Sequence, residues 1–86
     1  MGGMKTTRYF EEQVLSKRPY IERRWCAAAL ENPLRRDVQA NGRIRHWGLV
    51  NDAPDGKARY IRVVTLEDGE TILNAFFDRD FKENMS

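Results

Sequence analysis

The side chains with the most suggestive chemistry lie in residues 43–48, which read RIRHWG. On a β-strand, Arg43, Arg45 and Trp47 share one face and His46 points to the other. Guanidinium groups bind phosphate through two parallel hydrogen bonds, and an indole ring stacks an unpaired base. Arg43, Arg45 and Trp47 are therefore predicted nucleic-acid contacts. The alternative is a sheet face on which arginine stems shield the indole and no ligand binds.

His46 is the only histidine of the chain. Its ordinary pKa lies near neutrality, which makes it the default general acid or base. A histidine directed toward a core is more often structural, so both interpretations stay open. Strand alternation separates His46 from Arg45, and the two converge only at a bulge near Gly48 or at a sheet edge. On a later strand Arg62 adds a further candidate phosphate contact.

The sequence contains no recognisable metal-binding or cofactor-binding motif. One histidine and one cysteine, Cys26, supply no zinc-ligand spacing, and no glycine-rich phosphate loop is present. We therefore expect neither a metal ion nor a cofactor. Cys26 lies among alanines in a predicted helix, which favours a buried and unreactive thiol.

Two helices and four strands must position these residues. Thr6 or Thr7 can cap a helix that runs to about Lys17, with a strand as the competing interpretation. A second helix is predicted from about Tyr20 to Glu31. The predicted strands are Leu34 to Gln39, Arg43 to Val50, Arg59 to Leu66 and Glu70 to Phe77, followed by a polar tail. We expect an α+β fold in which the two N-terminal helices pack on one face of a four-stranded antiparallel sheet.

Turn residues and apolar spacing sharpen this prediction. Asn41-Gly42 and Asp68-Gly69 are strong signals for tight turns between antiparallel strands. The strand from Arg59 carries apolar residues on both faces and is predicted to be central. The predicted core comprises Phe10, Val14, Ile21, Trp25, Ala28, Ala29, Ile61, Val63, Ile72 and Phe76.

Composition bounds the class of protein. The 86 residues carry a net charge of +2 and are 41% hydrophobic and 33% charged, which indicates one ordered domain. Residues 1–3 resemble a cloning remnant, so the predicted domain is 4–86. No apolar run could span a bilayer and a single cysteine forms no internal disulfide, so we expect a cytoplasmic protein with no membrane partner.

Charge is distributed unevenly along the chain. Residues 1–64 carry a net charge of +6 and residues 65–86 a net charge of −4, and eleven of the fifteen cations are arginine. Because the planar guanidinium suits phosphate better than the lysine ammonium does, this composition favours a phosphate-bearing or acidic partner. Ordinary surface charge is the alternative.

Several short motifs resemble one group of bacterial proteins. Residues 17–33 are similar to an "R-x-I … helix … L-x-N-P" opening, and residues 42–48 to a "gR-x-R-x-x-G" second strand. Residues 62–65 resemble an "r-V-V" central strand, and residues 71–79 the closing strand and tail. Together they resemble small domains grouped with the RelE/ParE and BrnT-like toxin superfamily, although the acidic tail differs from the basic tail of BrnT-like members.

This resemblance implies a toxin-like domain directed at RNA, including ribosome-bound messenger RNA, with a cognate antitoxin protein as partner. Its enzymatic form would be a metal-independent endoribonuclease. His46 would then act as acid or base, and Arg45 and Arg79, with Arg43 and Arg62, would stabilise charge on the phosphate. The alternative is a non-catalytic binding module that uses the Arg/Trp sheet face for nucleic acid or an acidic protein partner. A third interpretation is a protein-interaction domain that completes an exposed sheet edge with a partner strand.

Overall fold

The computed structural model describes residues 4–82, where two helices precede a four-stranded antiparallel sheet. Helix α1 joins a π-helical stretch, Phe10–Val14, to an α-helical turn, Leu15–Lys17, and helix α2 is Arg23–Glu31. The strands are β1 (Arg35–Val38), β2 (Ile44–Val50), β3 (Arg59–Thr65) and β4 (Ile72–Phe77). The predicted α+β fold is confirmed. The remnant predicted at residues 1–3 lies outside the described residues.

Helix α1 begins where the sequence supplies a cap. Residues 8 and 9 are helical and precede the π-helical stretch, so Thr7 is the N-cap, and its Oγ1 accepts a hydrogen bond from the Phe10 backbone N–H at 3.0 Å. Phe10 and Val14 are both buried, so the four-residue spacing serves a helix and not a strand. The π-helical stretch was not predicted, because this spacing does not distinguish a slightly widened turn from an ordinary one.

Helix α2 begins at Arg23, later than the predicted start near Tyr20. Pro19 and Tyr20 instead form a turn, closed by a 3.0 Å hydrogen bond from the Ile21 N–H to the Arg18 carbonyl oxygen. The helix ends at Glu31, ahead of Asn32-Pro33, as predicted. None of the helices within residues 4–82 is long and apolar enough to cross a lipid bilayer.

The sheet has the order β1-β2-β3-β4, so each strand pairs with its sequence neighbour. Both predicted glycine turns are present: Gly42 and Gly69 adopt φ of 89° and 70°, a region in which other residues are strained. The predicted central position of β3 is confirmed, and β2 is the other interior strand.

Helices and sheet enclose one core on the inner face of the sheet, and it contains eight of the ten predicted residues. Ala28 was predicted wrongly and is exposed, because α2 turns Trp25, Cys26 and Ala29 toward the sheet. Phe76 is only half-buried, because its pairing with Arg62 places it on the opposite face of the sheet.

Helix α2 approaches the sheet closely at Gly48 of β2. A Cβ atom at this position would lie 3.0 Å from Ala29 Cβ and 3.1 Å from Ala29 Cα. These contacts are too short for an unstrained side chain, so the absence of a side chain at Gly48 sets the distance between α2 and β2.

We predict that Gly48→Ala lowers the free energy of unfolding by about 1–3 kcal/mol, because the added methyl group pushes α2 away from the sheet. Urea denaturation of Gly48→Ala, Ala29→Gly and the double variant provides the test. In the double variant the lost Ala29 methyl removes the 3.0 Å contact but not the 3.1 Å contact with Cα, so the two costs should be less than additive without cancelling. Additive costs would show that the two residues do not share this contact.

Candidate functional site

The sheet face opposite the helices, here called the open face, carries the predicted arginine and tryptophan side chains. Along β2, His46 and Gly48 point toward the helices, while Arg45 and Trp47 point to the open face. This is the predicted alternation. Arg43 precedes β2 and is exposed near Val64, two rows away from Trp47.

Strand register places four side chains in one row across the open face. Arg35 pairs with Trp47, Trp47 with Arg62, and Arg62 with Phe76. The guanidinium carbons of Arg35 and Arg62 lie 5.7 and 5.5 Å from the Trp47 ring centroid. Arg62 lies 4.8 Å and Arg18 5.7 Å from the centroid of Phe76. These five residues, Arg18, Arg35, Trp47, Arg62 and Phe76, are the arginine–aromatic stripe.

A third guanidinium group contacts the same indole. The Arg45 guanidinium carbon lies 5.5 Å from the Trp47 ring centroid, within the range of a cation–π interaction. Arg45 also forms an ion pair with Asp37 of β1. Both side chains of this pair are about one third exposed, so water screens the attraction.

Asp78 binds the centre of the stripe from the segment after β4. Its Oδ2 accepts hydrogen bonds from Trp47 Nε1 at 2.9 Å and from Arg62 Nη2 at 2.8 Å and Nε at 3.1 Å. Burial raises the pKa of Asp78, but these hydrogen bonds outweigh burial and leave the pKa below its ordinary value. Asp78 therefore carries its negative charge at neutral pH.

Trp47 is covered as well as surrounded. The ring of Phe81 stacks on it with centroids 5.1 Å apart and planes inclined by 16°. As a result only 6% of Trp47 is exposed. The predicted base-stacking residue thus lies on the expected face but beneath a side chain of its own chain.

Arg79 lies apart from Trp47, in a neighbouring cleft of about 520 Å³ at the β4 edge. Arg18 and Tyr20 line the same cleft, and Tyr20 stacks on Phe77 with ring centroids 5.7 Å apart. Arg18 belongs to both the cleft and the stripe, so the two are continuous along the β4 edge.

His46 is enclosed on the inner face with 2% of its surface exposed. Its Nε2 lies 3.0 Å from Thr65 Oγ1, and its buried Nδ1 has no hydrogen-bond partner among the described residues. Burial, assisted by the positive charge of Arg36, lowers the pKa of His46. The imidazole is therefore neutral at pH 7, and no bulge brings it to the open face beside Arg45.

The three residues with predicted catalytic roles occupy three separate places. His46 is on the inner face, Arg45 is paired with Asp37 on the open face, and Arg79 lines the cleft. The structure does not bring them together. Their catalytic roles stay predictions.

Sequence reasoning missed several members of the site. The turn signals alone give other partners. A two-residue turn at Asn41-Gly42 would pair Trp47 with Arg36, whereas the loop contains three residues and pairs Trp47 with Arg35. A bulge at Val64/Thr65 shifts the pairing of β3 with β4 and places Phe76 opposite Arg62, and no sequence signal marks this bulge. No local signal marks Asp78 or Phe81, because a short polar segment with one aromatic residue has no periodicity.

The thiol of Cys26 is buried in the core, and burial raises its pKa to about 12. This confirms the predicted buried thiol. In residues 4–82, no group of three or more His, Cys, Asp or Glu side chains is placed to hold a metal ion. Comparison of this chain with protein-family models, with curated proteins and with solved structures found no match.

The lowered pKa of His46 predicts a pH-dependent stability. The unfolded chain binds a proton on His46 near pH 6.5, more readily than the folded chain does. The free energy of unfolding should therefore be largest above that pH and fall as the pH drops from about 7 to about 5, by at most about 1.4 kcal/mol per pH unit.

Urea denaturation across this range is the measurement, with His46→Leu as the control. This variant has no titrating group at position 46. Its stability should change much less between these pH values. An equal slope in both proteins would assign the effect to another group.

Proposed function

We propose that the open face binds single-stranded nucleic acid and does not cleave it. The observation that carries this proposal is the arginine–aromatic stripe, in which guanidinium groups and aromatic rings alternate across all four strands. Single-stranded nucleic acid presents the matching alternation of phosphates and flat bases.

The stacked guanidinium groups suit phosphate. A guanidinium group can lie over a ring and at the same time donate two in-plane hydrogen bonds to one phosphate. Arg18 and Arg35 stand at the two ends of the stripe and lie within 6 Å of a ring centroid. An acidic peptide could use these cations, but it would leave the aromatic rings without a partner.

The sheet supplies a suitable platform for bases. Neighbouring strands lie about 4.8 Å apart, so the row from β1 to β4 extends roughly 14 Å. Aromatic side chains on the open face of a four-stranded sheet are a known way to stack about two or three RNA bases. The helices pack on the inner face and so do not cover the open face, where Phe81 lies over Trp47.

On this face, phosphate groups can replace carboxylates that are paired with arginines. The Arg45–Asp37 pair is exposed enough that its contribution is at most about 1 kcal/mol, so a phosphate group can replace the carboxylate at little cost. Arg43, exposed at the edge of the same face, can extend the contact along the strand direction.

The proposal omits cleavage because no described arrangement supports it. A general acid or base must come within hydrogen-bond reach of the reacting atoms. His46 has 2% of its surface exposed, and it faces the core. The toxin-like interpretation, with RNA as the polymer and an antitoxin as partner, stays a prediction from the resemblance.

Fluorescence anisotropy with a labelled uridine-rich oligonucleotide tests the proposal. Affinity should fall steeply as salt rises from about 50 to about 200 mM, because each phosphate contact releases counterions. Replacing Arg18 and Arg35 together by Gln should reduce the slope of log affinity against log salt by about 1.4, since each contact on a single strand contributes about 0.7.

A matched control removes the same charge elsewhere. Arg8 and Arg24 are both exposed, and each already pairs with carboxylates: Arg8 with Glu12, and Arg24 with Glu22 and Asp52. Replacing both by Gln should leave the salt slope nearly unchanged. Equal losses in the two double variants would mean that net charge, and not the open face, attracts the oligonucleotide. The absence of binding at low salt would refute the proposal.

A further inference from the structure

The chain folds back over the stripe immediately after β4. The Asp78 N–H donates to the Tyr60 carbonyl oxygen at 2.8 Å, and the Asp80 N–H donates to Asp78 Oδ1 at 3.0 Å. These bonds turn the chain so that Phe81 reaches Trp47. Residues 78–81 are here called the cover segment.

The cover segment makes the two kinds of contact that a nucleotide would make. Asp78 takes the hydrogen bonds of the Arg62 guanidinium edge, as a phosphate would. Phe81 lies nearly parallel to the Trp47 ring at 5.1 Å, as a stacked base would. Its other aromatic neighbour is Tyr60, which it meets edge-on at 5.0 Å.

One side chain fastens the end of this segment. Within residues 79–82 only Phe81 is buried, and Arg79, Asp80 and Lys82 are exposed. Phe81 can therefore leave Trp47 without disturbing the inner core, whose residues lie on the other face of the sheet.

We propose that the cover segment is an internal substitute for the nucleic-acid ligand, and that Phe81 must leave Trp47 before a base can stack there. This inference rests on the proposed function and adds its regulation. In the closed form the arginines of the open face still attract phosphate, but the stacking position is occupied. The wild-type protein therefore binds single strands more weakly than its open face allows.

Phe81→Ala tests this inference in the full chain. Removal of the ring uncovers Trp47, so affinity for the uridine-rich oligonucleotide should rise about 5- to 150-fold, the effect of one added base stack. Phe81→Tyr keeps the stacked ring and should bind like the wild type. Affinity is measured for an RNA oligonucleotide and for the DNA of the same sequence, because either polymer supplies phosphates and bases. The affinity for a poly-glutamate peptide should not rise in Phe81→Ala.

A second measurement needs no variant. Because the Trp47 ring stacks on Phe81, we expect it to shift the proton resonances of Phe81 in the wild-type protein. Saturating oligonucleotide should move these resonances toward their values in an unstructured peptide. The inference is overturned if the wild type binds, its Phe81 resonances stay in place and Phe81→Ala binds no more tightly; the proposed function survives that result. If neither protein binds at low salt, both the proposed function and this inference fail.

Discussion

Strand β2 pairs with β1 on one edge and with β3 on the other. One of its faces contacts the core and the other belongs to the open face. Ile44, His46 and Gly48 face the helices, and Arg45 and Trp47 face outward. A shift by one residue would exchange these sets and place a guanidinium group in the core. The close approach of Gly48 to Ala29 opposes that shift. The facing of β2 is therefore one constraint that both buries His46 and places Trp47 on the open face.

The same constraint accounts for the electrostatics of the open face. Arginines brought beside Trp47 are held by carboxylates of neighbouring segments, Arg45 by Asp37 and Arg62 by Asp78. The first pair is screened by water, whereas Asp78 is buried and keeps its charge through the hydrogen bonds that it accepts. If the open face binds a ligand as proposed, that ligand must compete with Asp78 more than with Asp37, and local pairing then controls access to the stripe more than net charge does.

Local patterns could predict the fold because each element carries its own signal. Glycine turns, proline boundaries and strand alternation gave the order of the elements and the face of Trp47. Ala28 was misplaced because helical spacing does not fix which side of a short helix is buried. The cover on Trp47 could not be predicted, since Asp78 and Phe81 lie 31 and 34 positions further along the chain and meet it only through the tertiary fold. The sequence therefore predicted which sheet face carries Trp47 and the arginines, but not that Asp78 and Phe81 cover this tryptophan.

The two tryptophans allow a direct test of where a ligand binds. Trp25 Nε1 donates to Asp52 at 3.0 Å beside the helices, and Trp47 Nε1 donates to Asp78 at 2.9 Å on the open face. A proton–nitrogen correlation spectrum, recorded as a single-stranded oligonucleotide is added at low salt, reports on both indoles at once. Binding at the open face predicts that the Trp47 indole resonance shifts and the Trp25 resonance stays in place. A shift at Trp25 alone, or at neither indole, would contradict the account.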